Sequence, residues 1–141
     1  MTGREAPFYK VAGEEAIKEP EPLNRPWGER HTLVSLTSRK CIDLKDGNPA
    51  PGTPFVQQSC QESSPSQEFE IRFLDDQKFQ IISKLNGQCL DVANWGQDND
   101  TPLVSWHCDA TQGNQVFTKL DNEDGSVRIS NLHSGKCLSL G

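Results

Sequence analysis

A unit of 48 residues repeats along this chain, and the repetition constrains the fold more than any other feature. Cys41, Cys89 and Cys137 each follow a short apolar run and lie 48 residues apart. The stretches around them align without a gap, as residues 32–44, 80–92 and 128–140. Repetition at such a period is typical of a fold built from copies of one supersecondary unit.

The second half of the unit repeats in the same register. Thr53, Cys60, Gln67 and Phe69 recur as Thr101, Cys108, Gln115 and Phe117. Within a copy, short alternating apolar runs are separated by Gly, Pro, Asn and Asp, which is typical of strands joined by turns. Four short strands in each of three copies predict an all-β fold, a β-trefoil. No single copy can bury its own apolar face, so the three must share one core.

Charge and hydropathy exclude several classes of partner. The formal net charge is -6, and no run of Lys and Arg forms the basic stripe that a polyanion needs. We therefore expect no nucleic acid and no anionic membrane as a partner. No stretch approaches the roughly 18 apolar residues of a membrane helix. The first residues also lack the apolar run of a secretory signal, so a signal is expected outside this chain.

Three short motifs resemble the ricin-type lectin repeat. They are Cys89-Leu-Asp-Val92, Trp106-His-Cys108 and Gly113-Asn-Gln-Val-Phe117. The last of these also resembles the lectin domains appended to animal GalNAc-transferases. The family closes each repeat with Gln-x-Trp, whereas Phe69 and Phe117 stand at the Trp position here. The resemblance covers residues 31–141 and implies a carbohydrate-binding module that is not an enzyme and needs no cofactor.

The resemblance also implies two disulfides within repeats, Cys41–Cys60 and Cys89–Cys108. Each pair is separated by 19 residues. Buried free thiols are the alternative, because spacing alone does not fix cysteine pairing. No Cys-x-x-Cys pair is present and the three histidines are not spaced as ligands, so no metal site is expected.

The third repeat is incomplete in this chain. The three copies correspond to residues 31–76, 77–124 and 125–141, and the partner of Cys137 would lie beyond Gly141. A longer natural chain, a cropped chain, or another segment or partner chain that fills the gap would each account for this. Residues 1–30 are interpreted as an N-terminal extension or linker; the alternative is that Trp27 fills the gap.

A candidate sugar site follows from the family pattern in the second repeat. There Asp91 would accept hydrogen bonds from two sugar hydroxyls, Trp106 would stack on the ring, Asn114 would contact the same hydroxyls, and Gln115 would brace the carboxylate. Charge-assisted hydrogen bonds and an aromatic platform suit a sugar, which has a polar edge and an apolar face. The alternative is structural: Asp91 would brace its own turn, and Trp106 would lie in the core.

The remaining candidate positions are less complete. Trp95 is either a second wall of the site or simply an exposed loop residue, and Val104 replaces a polar residue that is frequent in the family. The first repeat keeps Asp43 but has Gln58 and Ser66 in place of the platform and the amide. In the third repeat Ser139 replaces the aspartate. Neither the first nor the third repeat is therefore expected to bind a sugar.

The sequence thus predicts a lectin domain directed to galactose- or GalNAc-type glycans. Disulfides belong to oxidising compartments, so we expect the domain to be secreted or luminal and part of a larger protein. A catalytic domain and a partner chain that completes the third repeat are the alternatives for its partner. The rival hypothesis is a trefoil that serves as a protein-interaction or structural module with a degenerate sugar site. No catalytic motif is recognisable in the chain, and no catalytic residue is assigned.

Overall fold

Alternating apolar residues and tight turns produce a structure made of short strands. The computed structural model describes residues 2–3, 9–12, 31–35, 38–97, 101–121 and 126–139. The described residues form strands β1 to β12, which are Thr2–Gly3, Tyr9–Ala12, Thr32–Ser35, Cys41–Leu44, Phe55–Gln58, Phe69–Phe73, Phe79–Ser83, Cys89–Val92, Leu103–Trp106, Phe117–Asp121, Val127–Asn131 and Leu138–Ser139. Four 3₁₀ turns lie between strands, at Lys45–Gly47, Pro65–Gln67, Ala93–Trp95 and Gly113–Gln115.

The strands pair in the same way in each repeat. The second strand of a repeat pairs antiparallel with the first and the third, as β8 does with β7 and β9. The fourth strand pairs with the first strand of the next repeat, as β6 does with β7 and β10 with β11. Three equivalent contacts, His31↔Phe69, Phe79↔Phe117 and Val127↔Tyr9, join the repeats around the barrel. This is the predicted β-trefoil.

A single core lies at the centre of the three repeats. Its members are the inward apolar residues of the repeated strands, including Leu33, Leu44, Phe55, Phe69, Ile71, Phe79, Ile81, Leu90, Phe117 and Ile129, all of which are essentially inaccessible to solvent. Burial of each such side chain contributes about 1.5–3 kcal/mol relative to exposure. The sharing of one core among copies explains how a chain that is only 33% hydrophobic can fold.

Both implied disulfides are present in the structure. Cys41 is bonded to Cys60, and Cys89 is bonded to Cys108. Each bond ties the second strand of its repeat to the loop that follows the third strand. Cys137 is a buried free cysteine whose Sγ lies 3.6 Å from the Ser130 hydroxyl.

Strands from the N-terminal segment complete the third repeat, which corrects one sequence-based interpretation. β1 pairs with β12 with Gly3 opposite Leu138, as Ser105 lies opposite Leu90 in the second repeat. β2 pairs with β3 with Tyr9 opposite Ser35, as Phe117 lies opposite Asn131. The linker interpretation is therefore wrong for residues 2–3 and 9–12.

Unpaired strand edges explain this correction. Without β1 and β2, the edges of β12 and β3 would expose backbone N–H and C=O groups that lack partners. Trp27, the alternative candidate for filling the gap, lies outside the described residues. The predicted bounds of the repeats at 31–76, 77–124 and 125–141 stay predictions.

Candidate functional site

A hollow of about 430 Å³ opens on the outer face of the β8–β9 pair. We call it the second-repeat hollow, and its lining residues are Gly52, Asp91, Ala93, Asn94, Trp95, Val104, Trp106, Gln112 and Asn114. Three of the four residues predicted for the sugar site, Asp91, Trp106 and Asn114, line it. The fourth, Gln115, lies behind Asp91 and is fully buried.

Asp91 is a buried carboxylate held by two side-chain amides. It is 5% exposed. Asn114 Nδ2 donates to its Oδ1 at 3.1 Å, and Gln115 Nε2 donates to its Oδ2 at 2.8 Å. Burial raises the pKa of the Asp91 carboxyl above its ordinary value, while the hydrogen bonds from Gln115 and Asn114 oppose that rise. The two hydrogen bonds thus fix the orientation of the carboxylate and offset part of the cost of burying it.

The two amides come from the 3₁₀ turn Gly113–Gln115. Gln115 Nε2 also donates to the His107 carbonyl at 2.8 Å, and its Oε1 accepts from the Asp109 N–H at 2.8 Å. Asn114 Nδ2 also donates to the Val92 carbonyl at 3.1 Å. Both side chains therefore connect β8 to the turn, and both N–H bonds of the Asn114 amide are already used. Its Oδ1 is buried without a partner among the described residues.

Trp106 lies on the surface rather than in the core. Its side chain is 45% exposed, since it alternates outward from the buried Leu103 and Ser105 on β9. His107 packs near it, with ring centroids 5.5 Å apart. Behind it, Gly52 of the first repeat donates its N–H to the Ser105 carbonyl at 2.7 Å. A flat indole face is thus available beside the Asp91 carboxylate.

The far end of the hollow contains Trp95, which the sequence left as either a second wall or an exposed loop residue, together with residues that sequence patterns missed. Trp95 is 44% exposed and contacts His133 edge to face, with centroids 4.9 Å apart. The His133 Nε2 lies 3.0 Å from Gln97 Nε2. His133 belongs to the third repeat and Gly52 to the first, so neither carries a local sequence signal for this site. Only the closure of the trefoil brings them to the second repeat.

The first repeat has the same scaffold without the same site. Gln67 Nε2 donates to Asp43 Oδ2 at 3.0 Å and to the Ser59 carbonyl at 2.9 Å, which repeats the role of Gln115. Ser66 stands at the position of Asn114, but its hydroxyl pairs with that of Ser64. Asp43 Oδ1 is consequently buried without a partner in the described part of the chain. Gln58 offers no aromatic platform.

The described ranges contain neither a metal-binding cluster nor a membrane-spanning helix. No group of three or more His, Cys, Asp and Glu side chains there could hold a metal ion. Within the same ranges, no helix has the length and apolar character needed to cross a membrane.

Comparisons with known proteins agree with this architecture. Residues 29–141 match the family described as the ricin-type beta-trefoil lectin domain. A comparison with curated protein sequences found no match.

Solved structures with the same fold include a designed protein and parts of two larger ones. The designed threefold symmetric protein ThreeFoil is similar at a TM-score of 0.72 and 24% identity, over 76% of this chain and 75% of that one. An exo-β-1,3-galactanase from Clostridium thermocellum is similar at 0.70 and 26% identity, over 75% of this chain and 23% of that one. A mosquitocidal holotoxin is similar at a TM-score of 0.66 and 14% identity, over 76% of this chain and 13% of that one.

The repeat register, the closed threefold pairing and the aspartate held by a buried glutamine in two repeats all agree with the family match over most of the chain. This chain belongs to the ricin-type β-trefoil lectin domain family, a family of carbohydrate-binding domains.

Proposed function

We propose that this domain binds galactose- or GalNAc-type glycans through the second-repeat hollow. One observation carries the proposal: the braced carboxylate of Asp91 and the exposed indole of Trp106 line the same hollow. A hexose has hydroxyls at its edge and C–H bonds on its face. A carboxylate and an aromatic platform complement these two surfaces.

The hydrogen bonds of Asp91 leave capacity for a sugar. A carboxylate has about four lone-pair positions, and the two amides use one on each oxygen. The remaining positions suit two adjacent hydroxyls, such as the 3- and 4-hydroxyls of galactose. Asn114 and Gln115 then act mainly by orienting the carboxylate, because their N–H groups are already engaged.

The name of one structural relative supports the proposed galactose preference. The galactanase from Clostridium thermocellum is named for action on β-1,3-galactan, and its similar region is 26% identical to this chain.

Val104 lies directly opposite Asp91 on β9. Its apolar side chain gives the floor of the hollow no polar partner for a further hydroxyl, so selectivity would depend on Asp91 and on stacking.

We further propose that the domain serves a larger secreted or luminal protein. Disulfides persist in oxidising compartments, and both intra-repeat pairs are formed. In the galactanase and the holotoxin, the similar region covers only 23% and 13% of the chain. A single shallow site with a dissociation constant of ~1 mM gains only about 4 kcal/mol. Tethering to a catalytic domain or to further copies would raise the effective affinity, and any catalysis would reside outside this domain.

A matched pair of aspartate variants tests the site. We expect Asp91→Ala to abolish binding of methyl β-galactoside and of GalNAc, measured by calorimetry or NMR titration. Asp43→Ala removes the equivalent carboxylate of the first repeat, leaves Gln67 with the Ser59 carbonyl as its remaining acceptor, and should leave affinity unchanged. Trp106→Ala should also abolish binding, with little loss of stability because its side chain is half exposed.

The outcomes separate the proposal from its rivals. Equal loss of binding from Asp43→Ala and Asp91→Ala would contradict the assignment to the second repeat. A folded native protein that gives no signal on a glycan array would instead favour the protein-interaction module.

A further inference from the structure

We propose that Trp95 forms a second sugar platform, so that the second-repeat hollow recognises a terminal sugar together with the residue linked to it. This inference rests on the proposed function and extends it from a monosaccharide to a disaccharide.

The backbone at Trp95 has an unusual conformation for a residue with a side chain. Asn94 and Trp95 have φ values of 53° and 58°, in the left-handed region that side chains other than glycine rarely adopt. The equivalent residues of the first repeat, 48 positions earlier, are Asp46 and Gly47, with φ values of 56° and 63°. The turn therefore has the same shape in both repeats, and the first repeat uses the residue that this shape favours.

Packing in the core does not explain a tryptophan at this strained position. Its side chain is 44% exposed and lines the hollow. Strained residues that the fold does not require are concentrated at functional sites. An exposed indole on the wall of a hollow that also contains a carboxylate has the chemistry of a sugar platform.

The third repeat holds the Trp95 ring in place. The His133 ring meets the indole edge to face at an interplanar angle of 88° and a centroid distance of 4.9 Å. Its Nε2 lies 3.0 Å from Gln97 Nε2. The backbone N–H of His133 donates to Asn131 Oδ1 at 3.2 Å, which fixes the turn that carries it. His133 is thus a positioning residue, and the indole is oriented before any ligand arrives.

The two tryptophans lie at opposite ends of the β8–β9 pair. Trp106 pairs with Cys89 at the start of β8, whereas Trp95 follows Val92 at its end. Three residues of strand separate these ends by roughly 10 Å. This backbone spacing leaves room for one sugar beside each tryptophan. Asp91 lies between them, so each indole is placed to contact a different sugar.

The size of the hollow agrees with this arrangement. Its volume of about 430 Å³ lies within the range of pockets that hold drug-sized ligands, which are larger than one hexose. The ligand class that fits is a short galactose-terminated chain, with the terminal sugar on Asp91 and Trp106 and the next sugar on Trp95.

Titrations with methyl β-galactoside and with β-1,3-linked galactobiose test the proposal. We expect the native protein to bind the disaccharide roughly threefold to tenfold more tightly, which corresponds to one stacking contact. Trp95→Gly, which copies Gly47, should reduce this ratio to about one. Trp95→Asn also accepts the left-handed backbone and should do the same. Leu120→Ala, an exposed change on β10 outside the hollow, should leave the ratio unchanged.

Variants of His133 distinguish positioning from mere structure. His133→Ala should lower the disaccharide-to-monosaccharide ratio, and His133→Phe, which keeps an aromatic edge against the indole, should restore it.

Several results would overturn the proposal. An unchanged ratio in Trp95→Gly would remove the second platform, and equal losses for both sugars would mean that Trp95 closes on the terminal sugar. A native protein that binds both sugars equally refutes the second platform while the proposed function stands. Failure to bind either sugar overturns the proposed function and this inference with it.

Discussion

Considered residue by residue, the hollow combines a buried carboxylate, two amides that hold it and an exposed indole. A carboxylate that is 5% exposed carries a desolvation cost, which is the main reason that the pKa of Asp91 is raised. The amides of Asn114 and Gln115 offset part of that cost. In the first repeat Asp43 keeps the glutamine but lacks the asparagine. The second repeat alone, among the described ranges, has the amide, the carboxylate and the indole together.

The raised pKa of Asp91 predicts opposite pH trends for binding and for stability. Sugar hydroxyls need the ionised carboxylate, so affinity should fall on acidification at a pH above 3.8, the ordinary value for aspartate. A carboxyl whose pKa is raised on folding stabilises the protein when it is protonated. This contribution is fully present below the unfolded pKa and is lost as the pH rises through the folded pKa. As the pH falls, the affinity for sugar should therefore decrease while the contribution of Asp91 to stability increases.

NMR titration of the Asp91 carboxyl, together with affinities measured over the same pH range, checks this prediction. The control is Asp91→Asn, in which the contribution of this group to the pH dependence of stability should disappear. Binding that persists unchanged below pH 3.8, with Asp91 protonated, would contradict the role of the carboxylate as acceptor.

At the scale of elements, each disulfide fixes the ladder on which a candidate site is built. Cys89 lies two residues before Asp91, and Cys108 lies two residues after Trp106. The bond therefore holds both ends of the carboxylate–indole pair in register. Cys41–Cys60 does the same for a ladder that lacks the platform. The two disulfides are structurally equivalent and should differ only in their effect on binding.

Paired double variants separate these effects. Replacing Cys41 and Cys60 by Ala, or Cys89 and Cys108 by Ala, should lower the free energy of unfolding by about 3 kcal/mol in each case. Only the second change should weaken sugar binding. Urea denaturation measures the free energy of unfolding, and calorimetry measures the affinity for sugar. In the unsubstituted protein, unfolded without reduction, a count of free thiols should give Cys137 alone. Equal effects of both changes on affinity would contradict the assignment.

The sequence predicted the repeated elements well because their signals are local. Alternating apolar residues and turn residues mark strands such as β8 wherever they lie. The parts of the site that join repeats had no such signal. Gly52 and His133 reach the hollow only after the barrel closes. The pattern of residues around Asp91, Trp106 and Asn114 identified the candidate set, but it could not show that Trp106 is exposed and Gln115 fully buried.

The N-terminal strands escaped the sequence analysis for a related reason. Gly3 and Tyr9 are six residues apart, whereas the equivalent Ser105 and Phe117 are twelve apart. The shorter connection also lacks a glutamine two residues before the aromatic. The aromatic–apolar run Phe8-Tyr-Lys-Val was the available signal, but it occurs far from the end of the third repeat in the sequence.

At the scale of the whole molecule, the N-terminal segment and the third repeat form one unit. In the second repeat the cysteine that pairs with Cys89 follows Ser105 by three residues. Gly3 is the equivalent of Ser105, so Ala6 is the sequence position that corresponds to Cys108. We expect Ala6→Cys to form a disulfide with Cys137 and to raise the free energy of unfolding. The closed loop is long, so the gain should reach about 5 kcal/mol if the bond is unstrained.

Intact mass with and without reduction checks that pairing. Thr2→Cys is the control, since its backbone lies opposite Ser139 rather than at the disulfide position. Two reactive thiols in Ala6→Cys under oxidising conditions would contradict the correspondence between position 6 and Cys108.

The pairing of Thr2 with Ser139 has a consequence for biosynthesis. Among the described strands, translation delivers β1 and β2 before the others, and β12, against which β1 docks, after them. The first two repeats can assemble, with β2 paired to β3, before β12 is available to pair with β1. Contacts between such distant positions slow folding, because the entropy of bringing them together must be overcome first. Closure of the barrel should therefore be a late event that follows synthesis of β12.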